Sequence, residues 1–228
     1  MSTVIDPVRV RPSPTSAAAP GAPGAPPTTA STVAVTFESW LAAESEGPLT
    51  EWVHGEVIVH MSASVLHQRL VSFLDRFLGL FVSLRGLGEV LIAPAAMRAS
   101  PDGPGREPDL MFVAAGRRAI ITDALVDGPP DLVVEVVSDD SVARDRDEKY
   151  SEYEAAGIRE YWIIDPRPNR RRADFYVLGE DGRYQPVPVG LDGRYRSTAI
   201  TGLWLDVRWL WAETPDAAAA IRETAGSL

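Results

Sequence analysis

Hydrophobic side chains recur at helical spacing in one long stretch of the chain. From Val65 to Leu84 apolar residues lie three and four positions apart, and Gly86 ends the pattern. This spacing places the apolar side chains on one face of a helix, and glycine is typical of the position just after a helix. A shorter helix is predicted to begin near Thr36, and another spans about residues 143–156, ending at Gly157.

Short apolar runs between turn residues predict strands. These runs are 51–53, 56–59, 90–93, 97–99, 109–113, 132–137 and 161–164. Two further segments, 173–178 and 184–189, flank a glycine-containing turn and predict a hairpin. The run 132–137 is apolar on both faces, which is typical of a central strand covered on each side. The order of elements therefore predicts an α/β (α+β) domain with a mixed central β-sheet, flanking helices and a C-terminal β-hairpin.

The two ends of the chain differ from its middle. Residues 1–32 are rich in proline and alanine, with seven prolines between Pro7 and Pro27. Such a segment buries too little apolar surface to offset the entropy of ordering it, so a disordered tail is predicted. The folded domain is expected over 33–214, followed by a C-terminal tail, 215–228, with at most a short helix.

Composition narrows the function classes. The 228 residues contain no cysteine, which excludes disulfides, thiolate nucleophiles and cysteine-ligated zinc. The formal net charge of −10 argues against a protein that coats nucleic acid through charge alone, but not against one that holds it locally through metal ions. Because the sequence has no run of 18 apolar residues and no secretory signal, we expect a cytoplasmic protein without a membrane partner.

Glu135 is an anomaly within the most apolar strand. Side chains alternate along a strand, so Glu135 shares one face with Val133 and Val137. A glutamate buried among valines is costly unless a partner compensates its charge. One interpretation is a structural salt bridge or a sheet edge that reaches water. The other is a metal ligand or a catalytic acid or base.

A second carboxylate opens another predicted strand. Asp109 follows Pro108 directly, where its side chain could project toward a shared cleft. Two carboxylates that meet repel each other, and a divalent cation with a preference for oxygen ligands would relieve that repulsion. Asp109 and Glu135 are therefore predicted to be ligands of Mg²⁺ or Mn²⁺.

Lys149 is the only lysine in a chain with 21 arginines. It lies in the helix predicted after the central strand. Unlike arginine, lysine offers a compact ammonium whose pKa can shift and which can position or deprotonate a water molecule. The alternative is an ordinary solvated helix in which Lys149 pairs with Asp145 one turn earlier.

In this order the motifs resemble the putative restriction endonuclease family of bacteria, long catalogued as a domain of unknown function, within the PD-(D/E)XK nuclease superfamily. The resemblance covers about residues 36–210 and rests on these segments: Glu51–Glu56, His67–Gln68, Pro108–Leu110, Asp131–Ser138 and Asp145–Pro166. It implies a restriction-endonuclease-like fold and a Mg²⁺- or Mn²⁺-dependent endonuclease that hydrolyses DNA.

The resemblance also assigns the central residues. Asp109 and Glu135 match the two acids of the superfamily motif. The motif's usual lysine follows the second acid by two residues, where this chain has Val137, and Lys149 matches a lysine moved to the next helix. It would orient the attacking water or stabilise charge on the phosphate.

Three further residues match positions common in the family. Glu51 and His67 would supply another acid or a group that handles protons, although His67 fits a structural histidine equally well. Tyr153, one turn after Lys149, is expected to pack against the lysine and orient it.

Two other functions remain open. One is a catalytically silent domain that binds nucleic acid or protein and keeps the carboxylates for structure; the net charge favours it, since the dense basic patch is confined to residues 167–172. The other is a phosphodiesterase directed at RNA or nucleotides. Because two DNA strands must be cut, an active endonuclease is expected to be a homodimer.

Overall fold

The computed structural model describes residues 8–10, 34–43, 49–60, 63–139 and 141–226. Most of the predicted tail, 1–32, therefore lies outside the described residues. Within it, Val8–Val10 form strand β1, which pairs antiparallel with a later strand at Val57–Val59.

The remaining strands have the following bounds: β2 Thr50–Val53, β3 Glu56–Val59, β4 Gly88–Ile92, β5 Met97–Arg98, β6 Leu110–Ala114, β7 Val126–Asp127, β8 Leu132–Val136, β9 Glu160–Asp165, β10 Arg172–Leu178, β11 Tyr184–Pro186, β12 Arg194–Arg196 and β13 Trp204–Asp206. The α-helices are α1 Phe37–Ala43, α2 Val65–Arg85, α3 Lys149–Ala156 and α4 Ala217–Ala225. Short 3₁₀ segments span Ala115–Ile120 and Val207–Trp211, and a π-turn spans Arg144–Glu148.

A six-stranded mixed sheet forms the centre of the fold. Its strand order is β11-β10-β9-β8-β6-β4, with β8 and β9 parallel and every other neighbouring pair antiparallel. The predicted fold class, a mixed central sheet with helices and a C-terminal hairpin, is confirmed. The hairpin is formed by β10 and β11.

Strand β8 is covered on both faces, as its apolar pattern predicted. Leu132, Val134 and Val136 pack into one hydrophobic core with α2 and α4, while Val133 packs into a second core with Tyr153 of α3. Glu135 follows the same alternation and lies on the α3 face, near the carboxyl end of the strand.

Helix α2 closely matches the predicted helix. Ser64 caps its start by accepting a hydrogen bond from the backbone N–H of His67, and Gly86 ends it with a φ of 62°. Phe73 and Phe77 are fully buried, but Leu80 is 46% exposed, so the apolar face is narrower than its spacing indicated.

Two regions differ from the prediction. In the predicted tail, α4 buries Ala220 and Ile221 in the core that contains α2, so the packed structure extends beyond residue 214. In the helix predicted over 143–156, the first turn is a π-turn rather than an α-turn, and α3 begins at Lys149. No helix of the described residues is long and apolar enough to cross a membrane.

Candidate active site

A cavity of about 410 Å³ opens beside the carboxyl end of β8. Four of the six predicted site residues line it: His67, Asp109, Glu135 and Lys149. They come from α2, from the residue before β6, from β8 and from α3. The fold thus brings to one place side chains that are far apart in the sequence.

Asp109 is fixed from two directions. Its Oδ2 accepts a hydrogen bond of 2.8 Å from the backbone N–H of Val136 and lies 3.2 Å from Nε2 of His67. The first contact ties Asp109 to the strand that carries Glu135. Burial lowers the pKa of His67, but the hydrogen bond and charge of Asp109 outweigh burial and raise it. His67 is therefore suited to donating a hydrogen bond from Nε2 to Asp109 Oδ2.

Glu135 is a buried carboxylate with charged neighbours. Its Oε1 accepts hydrogen bonds from Lys149 Nζ at 2.8 Å and from Tyr153 Oη at 3.0 Å. Burial raises the pKa of Glu135 to about 8; the charge of Lys149 opposes that rise, and the nearby carboxylates of Asp145 and Asp109 add to it. The site therefore concentrates more negative charge than Lys149 alone compensates.

Lys149 lies among three carboxylates. Its Nζ is 2.8 Å from Glu135 Oε1, 3.0 Å from Glu51 Oε1 and 3.6 Å from Asp145 Oδ1. Burial lowers the pKa of Lys149, but these carboxylates outweigh burial and raise it above the ordinary value. The side chain is therefore a stable ammonium, suited to orienting groups and stabilising negative charge rather than accepting a proton.

Glu51 and Tyr153 lie behind the residues that line the cavity. Glu51 is 1% exposed and contacts Lys149 and Arg106; burial raises its pKa, but these two cations outweigh burial and hold it well below its usual value. Tyr153 donates its hydrogen bond to Glu135, so it positions the carboxylate that Lys149 shares rather than the lysine itself. Burial, followed by the charge of Glu135, raises the pKa of Tyr153 well above its usual value.

The Uma2 family model, described as "Putative restriction endonuclease", matches residues 34–208. The chain belongs to this family. The resemblance of the motifs to the putative restriction endonuclease family is therefore confirmed, and the family description implies a nucleic-acid substrate. A search of curated proteins found no match.

A solved structure shares the fold of this family member. It is the crystal structure of a putative nuclease belonging to DUF820 from Anabaena variabilis, with 15% sequence identity and a TM-score of 0.60. The match covers 78% of this chain and 97% of that one.

Arg106 is a buried residue of the site that sequence reasoning missed. It is 1% exposed and donates hydrogen bonds to Glu51 at 2.8 Å and to Glu152 at 2.9 and 2.5 Å. Residues 100–108 read as a turn, and loops usually lie at the surface. The one available signal was the charged pair Arg106–Glu107 directly before Pro108 and Asp109.

Three other residues around the cavity were also missed: His60, Ser141 and Arg144. Ser141 donates a 2.5 Å hydrogen bond to Asp145, four residues later, a spacing that the sequence offered. His60 Nε2 lies 3.3 Å from Glu51 Oε2, and no local pattern pointed to that contact.

The donor set fits magnesium or manganese better than zinc. All hydrogen bonds from described residues to Asp109 end on Oδ2, and those to Glu135 end on Oε1, which leaves one oxygen of each carboxylate for a cation. Among the residues that the structure describes, no three His, Cys, Asp or Glu side chains form a metal cluster. Mg²⁺ commonly binds through one or two carboxylates, with water and substrate phosphate completing its shell, whereas zinc takes three or four protein ligands.

Proposed function

We propose that this chain is a metal-dependent endonuclease that hydrolyses phosphodiester bonds in DNA, with Mg²⁺ or Mn²⁺ as cofactor. The observation that carries the proposal is the meeting of two carboxylates and the chain's only lysine at one cavity. Lys149 reaches Glu135 across 14 residues of sequence, from a helix rather than from the strand. This arrangement supports a PD-(D/E)XK site in which the lysine has moved to the following helix.

Asp109 and Glu135 would hold the ion. When bound, such an ion polarises the scissile phosphate and lowers the pKa of an attacking water. Asp109 uses Oδ2 for Val136 and His67, so its other oxygen is free to face the ion. Glu135 uses Oε1 for Lys149 and Tyr153 in the same way.

Lys149 would act on the phosphate or on the water through its positive charge. A permanently charged ammonium in a largely buried site stabilises developing negative charge more strongly than one in water. Glu51 and Asp145 hold the ammonium in place and keep it protonated. Lys149 is thus assigned to charge stabilisation and orientation, and Glu51 and Tyr153 to positioning.

Cleavage of supercoiled plasmid with Mg²⁺ or Mn²⁺ tests the proposal. We expect nicked and linear products from the wild-type chain, and loss of both in Asp109→Asn, Glu135→Gln and Lys149→Ala. Asp147→Asn is the matched control, because Asp147 lies exposed on the π-turn before Lys149. This variant should cleave plasmid at the wild-type rate.

Several results would overturn the proposal. If the wild-type chain cleaves RNA but not DNA, the substrate assignment is wrong and the site is that of a ribonuclease. If it cleaves neither and calorimetry detects no binding of Mg²⁺ or Mn²⁺, a silent binding domain replaces the enzyme. The expected homodimer stays a prediction, which light scattering at working concentration tests.

A further inference from the structure

Arg144 is a buried cation on the wall of the candidate active site. It occupies the first position of the π-turn, is 5% exposed and lines the same cavity as Asp109, Glu135 and Lys149. Nothing in the proposed mechanism uses it. A buried guanidinium carries five N–H donors, and leaving them unpaired is costly.

The contacts of Arg144 leave much of its hydrogen-bonding capacity unused. One terminal nitrogen lies 3.4 Å from Nδ1 of His60, a long contact. Its Nε is 3.8 Å from Glu51 Oε2, too far for a hydrogen bond, and has no hydrogen-bond partner among the described residues.

Glu51 does not need Arg144 as its main counter-ion. Arg106 donates to the same carboxylate at 2.8 Å, and Lys149 lies 3.0 Å from its other oxygen. Arg106 differs from Arg144 in a second respect, because Glu152 binds its guanidinium through two hydrogen bonds. Of these two buried arginines, Arg106 is engaged by carboxylates, whereas Arg144 has no carboxylate of the described residues within hydrogen-bond distance and can receive a further anion.

The π-turn explains why Arg144 and Lys149 reach one cavity. In an α-helix, residues five apart point about 140° away from each other. Here the backbone N–H of Lys149 bonds to the carbonyl of Arg144, five residues earlier, which widens the turn by one residue and brings the two side chains toward one face. Such widened turns occur frequently at functional sites.

We propose that Arg144 binds a non-bridging oxygen of the substrate phosphate, next to the ion held by Asp109 and Glu135. A guanidinium presents paired donors that match phosphate oxygens, and its charge does not depend on pH. The inference rests on the proposed function and deepens it. The Arg144 contact would give a protein with a net charge of −10 a local means of holding a phosphate.

A comparison of charged and neutral ligands isolates this contact. The probes are thymidylyl-thymidine, which has one phosphodiester, and its methylphosphonate analogue, which has the same shape without the charge. Dissociation constants are measured by calorimetry on the full chain with Ca²⁺. We expect Arg144→Ala to weaken phosphodiester binding about 10-fold and to leave methylphosphonate binding unchanged.

Two variants control the measurement. Arg146→Ala removes an arginine two residues away that is bound to Asp174 at 2.8 Å and does not line the cavity, so it should leave both affinities unchanged. Arg144→Lys keeps the charge but loses the paired donors, so its affinity for the phosphodiester should lie between those of Arg144→Ala and the wild type. If circular dichroism shows that Arg144→Ala does not fold, Arg144→Lys is tested in its place. Its preference for the phosphodiester over the methylphosphonate should then be about threefold smaller than that of the wild type.

Each outcome decides the inference. Equal loss of affinity for both ligands would mean that Arg144 only supports the structure, and no loss for either would mean that it does not touch the phosphate. A wild-type chain that does not prefer the phosphodiester overturns the inference as well. If the preference depends on Arg144 but plasmid is never cleaved, the phosphate site stands while the nuclease proposal fails.

Discussion

Two glutamates on adjacent parallel strands are buried in different ways. Glu135 lies on β8 and Glu160 on β9, and their residues are 4% and 0% exposed. Both sit in strongly apolar strands, so a rule based on burial alone treats them as equals. Their hydrogen-bond partners separate them.

Glu160 is surrounded by neutral donors. Its Oε1 accepts from Trp162 at 2.6 Å and from Tyr195 at 2.9 Å. Its Oε2 accepts from the Ser197 hydroxyl, from the Thr198 backbone and hydroxyl, and from the Ala199 backbone at 2.7–3.1 Å. These bonds tie the 195–199 segment to the sheet, which makes Glu160 a structural group.

Glu135 has the opposite environment. A lysine and a tyrosine share one of its oxygens, other carboxylates lie nearby, and its second oxygen has no described hydrogen-bond partner. Burial alone therefore does not separate the proposed metal ligand from the structural glutamate. The two differ in that Glu135 lies beside a cavity, has an oxygen without a described hydrogen-bond partner and has other carboxylates nearby.

Glu135→Gln gives the largest expected effect. It removes one oxygen of the proposed metal site while Lys149 keeps Glu51 and Asp145, so we expect plasmid cleavage to fall about 10²–10³-fold with little change in melting temperature. Initial rates and thermal melts on the same preparations check this. A variant that keeps wild-type rates would remove the functional contrast between the two glutamates.

Glu160→Gln is expected to reverse that pattern. A neutral amide cannot accept as many hydrogen bonds, and its NH₂ group meets donors, so the free energy of unfolding should fall by roughly 3 kcal/mol. Cleavage per folded molecule should stay at the wild-type rate. Urea unfolding measures the loss, with the exposed Glu180→Gln as control; a loss of activity without a loss of stability would contradict the structural role.

The pH dependence of stability in Glu51→Gln tests the contacts of Glu51 with Lys149 and Arg106 behind the cavity. Because Lys149 and Arg106 outweigh burial and depress the folded-state pKa of Glu51, its charge stabilises the fold above the ordinary glutamate pKa, and this stabilisation is lost as pH falls below that value. We expect the variant to be about 2 kcal/mol less stable at pH 7, with the difference shrinking in acid. Urea unfolding from pH 7 to pH 3 checks this.

The matched control for Glu51 is Glu148→Gln, an exposed glutamate next to Lys149 in sequence. Its stability should follow the wild type at every pH. If the stability difference between Glu51→Gln and the wild type stays constant down to pH 3, the wild-type Glu51 carboxylate is not held in the charged form.

Stabilisation by metal is the smallest expected effect. At ten times its dissociation constant, a bound ion adds about 1.4 kcal/mol, or roughly 3–5 °C in melting temperature for a chain of this size. Mg²⁺ or Mn²⁺ should produce this shift in the wild type and in Asp147→Asn, but not in Asp109→Asn or Glu135→Gln. Equal shifts in all four proteins would place the ion elsewhere.

The central strand and its acid could be predicted from the sequence because both depend on local pattern. Glu135 stands out in an apolar run, and Lys149 stands out as the only lysine. Arg106 and Arg144 could not be found in this way, since their burial depends on the meeting of β2, the 100–108 loop and α3. The structural role of Glu160 was equally hard to predict, because all its hydrogen-bond partners except Trp162 lie 35–39 residues away in the sequence.

The bond between Asp109 and the Val136 backbone has a consequence for how this family can vary. It fixes the pairing of β6 with β8, in which Leu110 faces Val134, as a condition of assembling the pocket. A slip of one residue would turn the acid to the opposite side of the sheet. We therefore expect length changes between these strands to be tolerated at the exposed residues 122–124, whereas the alignment of the two strands must be kept for the pocket to form.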